Sequence, residues 1–260
     1  MSHLERVYRA EGVVLRRQDF GEADRLTTIY SRNLGKLRLV AKGVRKPRSR
    51  KSGHLEPFTR VKLLIARGRQ LDIITQAEAI ETYPNIGSDL ITLGHASYIV
   101  ELLDRFSVEE REDNRQLYNL LLSSLDRLSS GEEEPWAVVL FFELRLLEIA
   151  GYRPELFQCV HCGEKIEALD QYFSFQLGGV VCPRGKQSQR DLRSLSLPAL
   201  KVLRYYQRNR FETASGPRIE RKIVDEVGGL MESHLTHILE RRLNSPVFLR
   251  RVRRLEKWHV

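Results

Sequence analysis

Gly-Lys-Leu-Arg-Leu-Val-Ala-Lys-Gly-Val-Arg-Lys-Pro-Arg-Ser-Arg-Lys, residues 35–51, changes character in its middle. Up to Val40, apolar Leu37 and Leu39 alternate with the cations Lys36 and Arg38, the period of a strand with one buried face. From Lys42 onward come six cations (Lys42, Arg45, Lys46, Arg48, Arg50 and Lys51) and no acid, while Gly43 and Pro47 discourage helix. The stretch reads as a strand running into a flexible cationic loop. A loop of that kind on a small β-domain suits a polyanion, and nucleic acid is the commonest one. Together with Lys36 and Arg38 on the strand, the six loop cations form the candidate nucleic-acid-binding set.

Outward from this stretch, residues 1–84 read as all-β. Strands are expected over residues 8–17, 26–30, 35–40, 61–66 and 71–79, each with apolar alternation or a β-branched run. Turn signals at residues 67–70 and 33–35 pair the last two strands and the second with the third. Five short strands with a long loop after the third suggest a five-stranded oligonucleotide-binding (OB) barrel, and a small SH3-type barrel would read much the same. Phe20, Tyr30 and Phe58 are its candidates for stacking on bases.

From Pro84 the period changes to helix. Ser88 can cap a helix over residues 89–106, with Leu90, Leu93, Ala96, Ile99, Val100 and Leu103 on one side. Asp113 or Asn114 opens a second, ended by Gly131. Glu132, Glu133, Glu134 and Pro135 open a third, as suits a helix N-terminus, and residues 136–150 are apolar enough for a central core helix. Residues 196–210 and 217–243 read as further helices, and Arg250, Arg251, Arg253 and Arg254 lie in a tail expected to be a fraying helix. The expected organisation is therefore α+β and multidomain: an OB-type barrel at 1–84, a helical domain at 85–155 and 191–260, and an insert at 156–190.

The insert carries the chain's three cysteines. Cys159-Val-His-Cys162 is followed by Cys182-Pro-Arg-Gly185, so a zinc ribbon of two CxxC knuckles lacks its fourth thiol where Gly185 stands. Two readings stay open. The sequence favours a degenerate, metal-free knuckle. The other is a three-thiolate zinc site at Cys159, Cys162 and Cys182, completed by a histidine or a water. His161 lies inside the first knuckle and is expected to point away from the metal. Structural zinc is thus the one candidate cofactor, and none is certain.

Charge is segregated. Residues 1–84 hold 18 Lys and Arg against 9 acids, 85–170 hold 7 against 17, and 171–260 hold 18 against 8. Two basic ends around an acidic middle suggest two cationic surfaces, the second including Arg241, Arg242 and the tail arginines. That second surface would hold DNA, receive an acidic protein tail, or only solubilise. No apolar run approaches ~18 residues, so no membrane partner is expected, and the three cysteines make no disulfide framework. A soluble cytoplasmic protein is expected. Phosphate-loop, dinucleotide, metalloprotease and nucleophile-elbow motifs are absent. Asp19, Glu22 and Asp24 would serve a metal-dependent nuclease, but they read more simply as a polar turn. An RNA-binding barrel protein is the other rival.

Gly12-Val-Val-Leu-Arg16, Phe20-Gly-Glu-Ala-Asp-Arg25, Gly35-Lys36 and Val40-Ala-Lys-Gly-Val-Arg45 together resemble the N-terminal domain of the RecO family, bacterial mediators of DNA repair and recombination. Leu-Glu-Ile-Ala-Gly-Tyr-Arg-Pro-Glu-Leu at 147–156 and Cys-Val-His-Cys-Gly at 159–163 resemble the middle of the same family. The resemblance implies an OB barrel, a helical core and a zinc-ribbon-like element. It also implies binding to single- and double-stranded DNA and strand annealing. Partnership with RecR, often RecF, and single-strand binding protein is implied, so that RecA loads, with no catalytic activity. Members often have four cysteines, and Gly185 departs from that pattern.

Overall fold

The computed structural model describes residues 6–107, 115–188, 191–209 and 219–256. The chain divides into two compact units, residues 1–129 and 130–260.

The first unit opens with five strands: β1 (Val7–Phe20), β2 (Asp24–Ser31), β3 (Gly35–Ala41), β4 (Arg60–Ala66) and β5 (Asp72–Glu81). They close in the order β1-β2-β3-β5-β4, with β1 pairing back onto β4. All pairings are antiparallel except β3 with β5, where Leu39 and Val40 lie opposite Asp72 and Ile73 in parallel. This closure identifies the barrel as OB-type and decides against the SH3 alternative. Alternation sets the faces of β3: Leu37 and Leu39 point into a core with Val14, Ile29, Val61, Leu63, Ile65 and Ile74, and Arg38 points out. Gly12 is required where β1 crosses β2, because a Cβ there would stand 2.5 Å from Ile29 Cγ2 and 2.7 Å from the Tyr30 carbonyl oxygen.

Two helices complete this unit, α1 (Leu90–Phe106) and α2 (Arg115–Ser130). The cap of α1 is Asp89 rather than Ser88. Its carboxylate accepts from the Ile91 and Thr92 amides, while the Ser88 hydroxyl is spent on the Asn85 carbonyl, closing the preceding turn. The expected start of α2 at Asp113 or Asn114 lies outside the described residues. Both helices are tied to the barrel by polar contacts. Lys36 of β3 reaches Asp104 of α1, and Tyr118 of α2 donates to Glu11 of β1 at 3.1 Å. Burial pushes up the Glu11 carboxyl, but hydrogen bonds from Arg60 and Tyr118 outweigh it and hold the pKa below the ordinary value.

The second unit holds α3 (Pro135–Ile149), the strands β6 (Gln171–Ser174), β7 (Gly179–Val181) and β8 (Leu192–Leu195), then α4 (Leu197–Arg208), α5 (Arg221–Leu239) and α6 (Ser245–Glu256). Helix α3 is buried on nearly every side, as its composition predicts. The insert is a three-stranded antiparallel sheet in the order β7-β6-β8. Its third strand comes from residues beyond 190, too short a run to show a period.

One helical expectation is corrected. The run expected over 217–243 ends at Leu239, where Glu240 turns left-handed (φ 52°). The helix expected in the tail is present as α6, which starts at Ser245 with Pro246 in its first turn and buries Leu249 and Val252. Among the described residues no helix is long and apolar enough to cross a membrane.

Candidate nucleic-acid interface

The cationic segment between β3 and β4 is held at several points along its length rather than left as a flexible tether. Val44 and Leu55 are each 1% exposed and belong to the barrel core. The Gly43 amide donates to Asp24 Oδ1 at 2.7 Å, and the Arg45 amide to the Ala23 carbonyl at 2.9 Å. Lys51 folds inward and donates to the carbonyls of Lys42 and Ile74, both at 3.1 Å. Desolvation lowers its pKa, against the pull of Asp24. At the far end, Glu56 is shared by Arg17 and Arg25. The sequence has a Gly, a Pro and cations here, and no period that marks Val44 and Leu55 as anchors.

This anchoring sorts the predicted residues. Lys42, Arg45, Lys46, Arg48 and Arg50 are exposed. Of these, Arg45 leans on Asp19 at 3.4 Å, and the other four form no ion pair among the described residues. Arg38 is exposed on the outer face of β3, opposite Thr28. Lys36 stands apart: its ammonium is 2.6 Å from the Asp104 carbonyl oxygen and 3.2 Å from Oδ1, and its side chain is 11% exposed. Lys36 and Lys51 are therefore engaged within the fold, and five loop cations face solvent.

The β1–β2 hairpin lies against this loop. Phe20 at its tip is 48% exposed, beside the turn whose Ala23 and Gly21 carbonyls receive Arg45. Tyr30, at 2% exposure, is a core residue and has no face to offer a base. Phe58 is half-buried in a left-handed conformation (φ 69°), unusual for a bulky residue, where the chain bonds back to Val14. The acids Asp19 and Asp24 are committed to Arg25, Arg45 and the Gly43 amide. Among the described residues, the only grouping of three or more metal-ligating side chains is that of the cysteines.

A concavity of about 610 Å³ on the barrel wall alternates Arg9 and Lys62 with Glu11 and Glu78. Its mixed charge does not suit a polyanion. In the second unit, Arg241, Arg242, Arg250 and Arg251 are exposed, and Arg250 is held by Glu232 at 2.8 Å. Arg208 and Arg204 both stack on Phe157, their guanidinium carbons 4.0 and 5.0 Å from the ring centre.

The Sγ atoms of Cys159, Cys162 and Cys182 lie within 4.8 Å of one another. Burial raises the Cys159 thiol pKa, but backbone N–H groups of Cys182, Cys162 and His161 outweigh it and bring the value down to about 7.

Fold and interface together define an OB-barrel protein with a helical second part and a zinc-ribbon-like insert, whose barrel presents an anchored cationic loop. Residues 1–83 match the family model described as Recombination protein O N terminal, and residues 87–246 the model described as Recombination protein O C terminal. A DNA repair protein RecO from Roseiflexus sp. (strain RS-1) is 40% identical over 96% of this chain and 88% of its own. Those of Pelotomaculum thermopropionicum and Dehalococcoides mccartyi (strain 195) are 36% and 34% identical, over 95% and 93% of this chain and 94% of each relative. The chain belongs to the RecO family of DNA repair proteins.

Proposed function

We propose that this protein is a non-enzymatic recombination mediator. It binds single- and double-stranded DNA without sequence preference and anneals complementary strands. With RecR, and with RecF where present, it helps RecA load onto strands coated by single-strand binding protein, in the cytoplasm at the nucleoid. One observation carries the DNA-binding part: Lys42, Lys46, Arg48 and Arg50 are exposed on an anchored loop and form no ion pair among the described residues. Cations held ready for phosphate release counterions on contact and lose little conformational freedom. Backbone phosphates carry no sequence, so binding by this surface is general. Exposed Phe20 beside the loop adds a π-face that single strands can use.

Annealing brings two polyanions together, which a cationic surface screens. The arginines of the second unit supply further positive charge for a second strand or for an acidic protein tail. The family boundary between residues 83 and 87 supports reading 1–84 as the DNA-binding domain, with 85–155 and 191–260 as a helical domain around the insert at 156–190.

The test is annealing of complementary oligonucleotides, naked and coated by single-strand binding protein, with labelled DNA and magnesium or manganese as a parallel reaction. The expected result is faster annealing and intact DNA, with no preference for RNA of the same sequence. Cleavage requiring Asp19, Glu22 or Asp24 would favour a nuclease, and strong preference for RNA an RNA reader. Either outcome contradicts the proposal.

A further inference from the structure

Resemblance to the RecO family implies a zinc-ribbon element, and the thiols of this chain fit a zinc ion. Zinc–thiolate bonds of ~2.3 Å in a tetrahedron put neighbouring sulfurs ~3.8 Å apart. Cys162 and Cys182 Sγ are 3.8 Å apart, and Cys159 completes a group spanning at most 4.8 Å. Backbone bonds hold the knuckles in this arrangement. Gly163 N–H donates to the Cys159 carbonyl at 2.8 Å and Gly185 N–H to the Cys182 carbonyl at 2.9 Å. Val160 N–H donates to the Val180 carbonyl at 2.9 Å, which ties the first knuckle to the strand leading into the second. The Cys182 amide points at Cys159 Sγ, 3.3 Å away, as an amide does toward a sulfur bearing charge.

The fourth corner differs. Position 185 has no side chain, and there is no room for one as the chain stands. A Cβ there would lie 2.8 Å from Val181 Cγ1 and 3.2 Å from His161 Cδ2. Among the described residues, no His, Asp or Glu ligand atom joins the three thiols within the same 4.8 Å. His161 thus lies across Gly185 without its nitrogens completing the group. Cys162 is exposed, so solvent reaches the cluster from one side.

We propose that Cys159, Cys162 and Cys182 hold one zinc ion through three thiolates, and that Gly185 leaves its fourth position open to a small exogenous donor. Water fills that position in the resting protein, and a neutral nitrogen donor such as imidazole replaces it. Binding the metal releases the thiol protons. Structural zinc is ordinarily closed by four protein ligands, so this site would be folded like a structural one yet exchange a ligand like an open one.

The full chain, purified without chelator, is analysed for zinc and reloaded with cobalt(II) as a visible probe. One zinc per chain is expected, with a first shell of three sulfurs and one lighter atom by X-ray absorption, and imidazole should shift the cobalt bands. In Gly185→Cys combined with Val181→Ala, which removes the clashing methyl, the shell should become four sulfurs and the imidazole response should vanish. Zinc should then bind tighter by on the order of a hundredfold in chelator competition. If that variant does not fold, the imidazole titration of the unaltered protein decides alone. Metal that is absent, or retained after Cys182→Ser, overturns the proposal. So does a spectrum insensitive to imidazole that becomes sensitive in His161→Ala, which would make His161 the fourth ligand.

Discussion

His234 shows how one buried side chain can make stability depend on pH. It sits on α5, 2% exposed, edge-on to Phe173 with ring centres 5.1 Å apart and stacked near Phe175 at 6.3 Å. Neither ring nitrogen has a hydrogen-bond partner among the described residues. Burial, with a smaller push from His237, brings its pKa down to about 4. An unfolded histidine titrates near ~6.5. Above that pH both states are neutral and the full stability is present. As pH falls below it, only the unfolded chain takes the proton, so stability drops until the folded pKa is reached. Between pH 7.5 and 5 the loss from this residue is about 2 kcal/mol. Urea unfolding at the two pH values should show that difference shrinking in His234→Leu by about this amount. An identical pH dependence in both proteins would place the ring in a wetter setting.

At the scale of elements, the loop between β3 and β4 is more an extension of the barrel than a tether. Leu55 and Val44 plug the core, and Asp24 and Ala23 pin the backbone between them. Leu55→Ala should cost about 2–5 kcal/mol of barrel stability. It should also loosen the loop, so that trypsin cuts among residues 42–51 faster in native conditions. Destabilisation without faster cleavage there would mean that the other anchors suffice. The strands were legible because alternation in residues 35–40 and 61–66 marks buried faces directly. The loop's cations were legible as charge, its anchors were not, since Val44 among lysines and arginines carries no period. Likewise Lys36 looks like a partner for DNA in sequence. Its engagement with Asp104, 68 residues away, is a tertiary event that no local pattern announces. The break after Leu239 was missed because the residue that turns left-handed is Glu240, not the glycine that commonly ends a helix. The three cysteines were legible from spacing, but the crowding around Gly185 needed coordinates.

Across the whole molecule, charge and architecture agree. Net +9 in residues 1–84 resides on the barrel, and five of its cations face solvent on one anchored loop. The acidic stretch 85–170 supplies Asp104, which engages Lys36 within the fold. The central claim is that these exposed loop cations neutralise the DNA phosphates. The most direct measurement is the salt dependence of single-stranded DNA affinity for the unaltered protein, for Lys42, Lys46, Arg48 and Arg50 replaced together by Ala, and for Lys36→Ala. The loop variant should bind more weakly and flatten the log–log slope by ~0.7 for each phosphate no longer neutralised, while its thermal unfolding stays put. Lys36→Ala should keep the slope and lose stability instead. A loop variant with unchanged affinity and unchanged slope, or a Lys36→Ala that alone flattens it, would contradict the account.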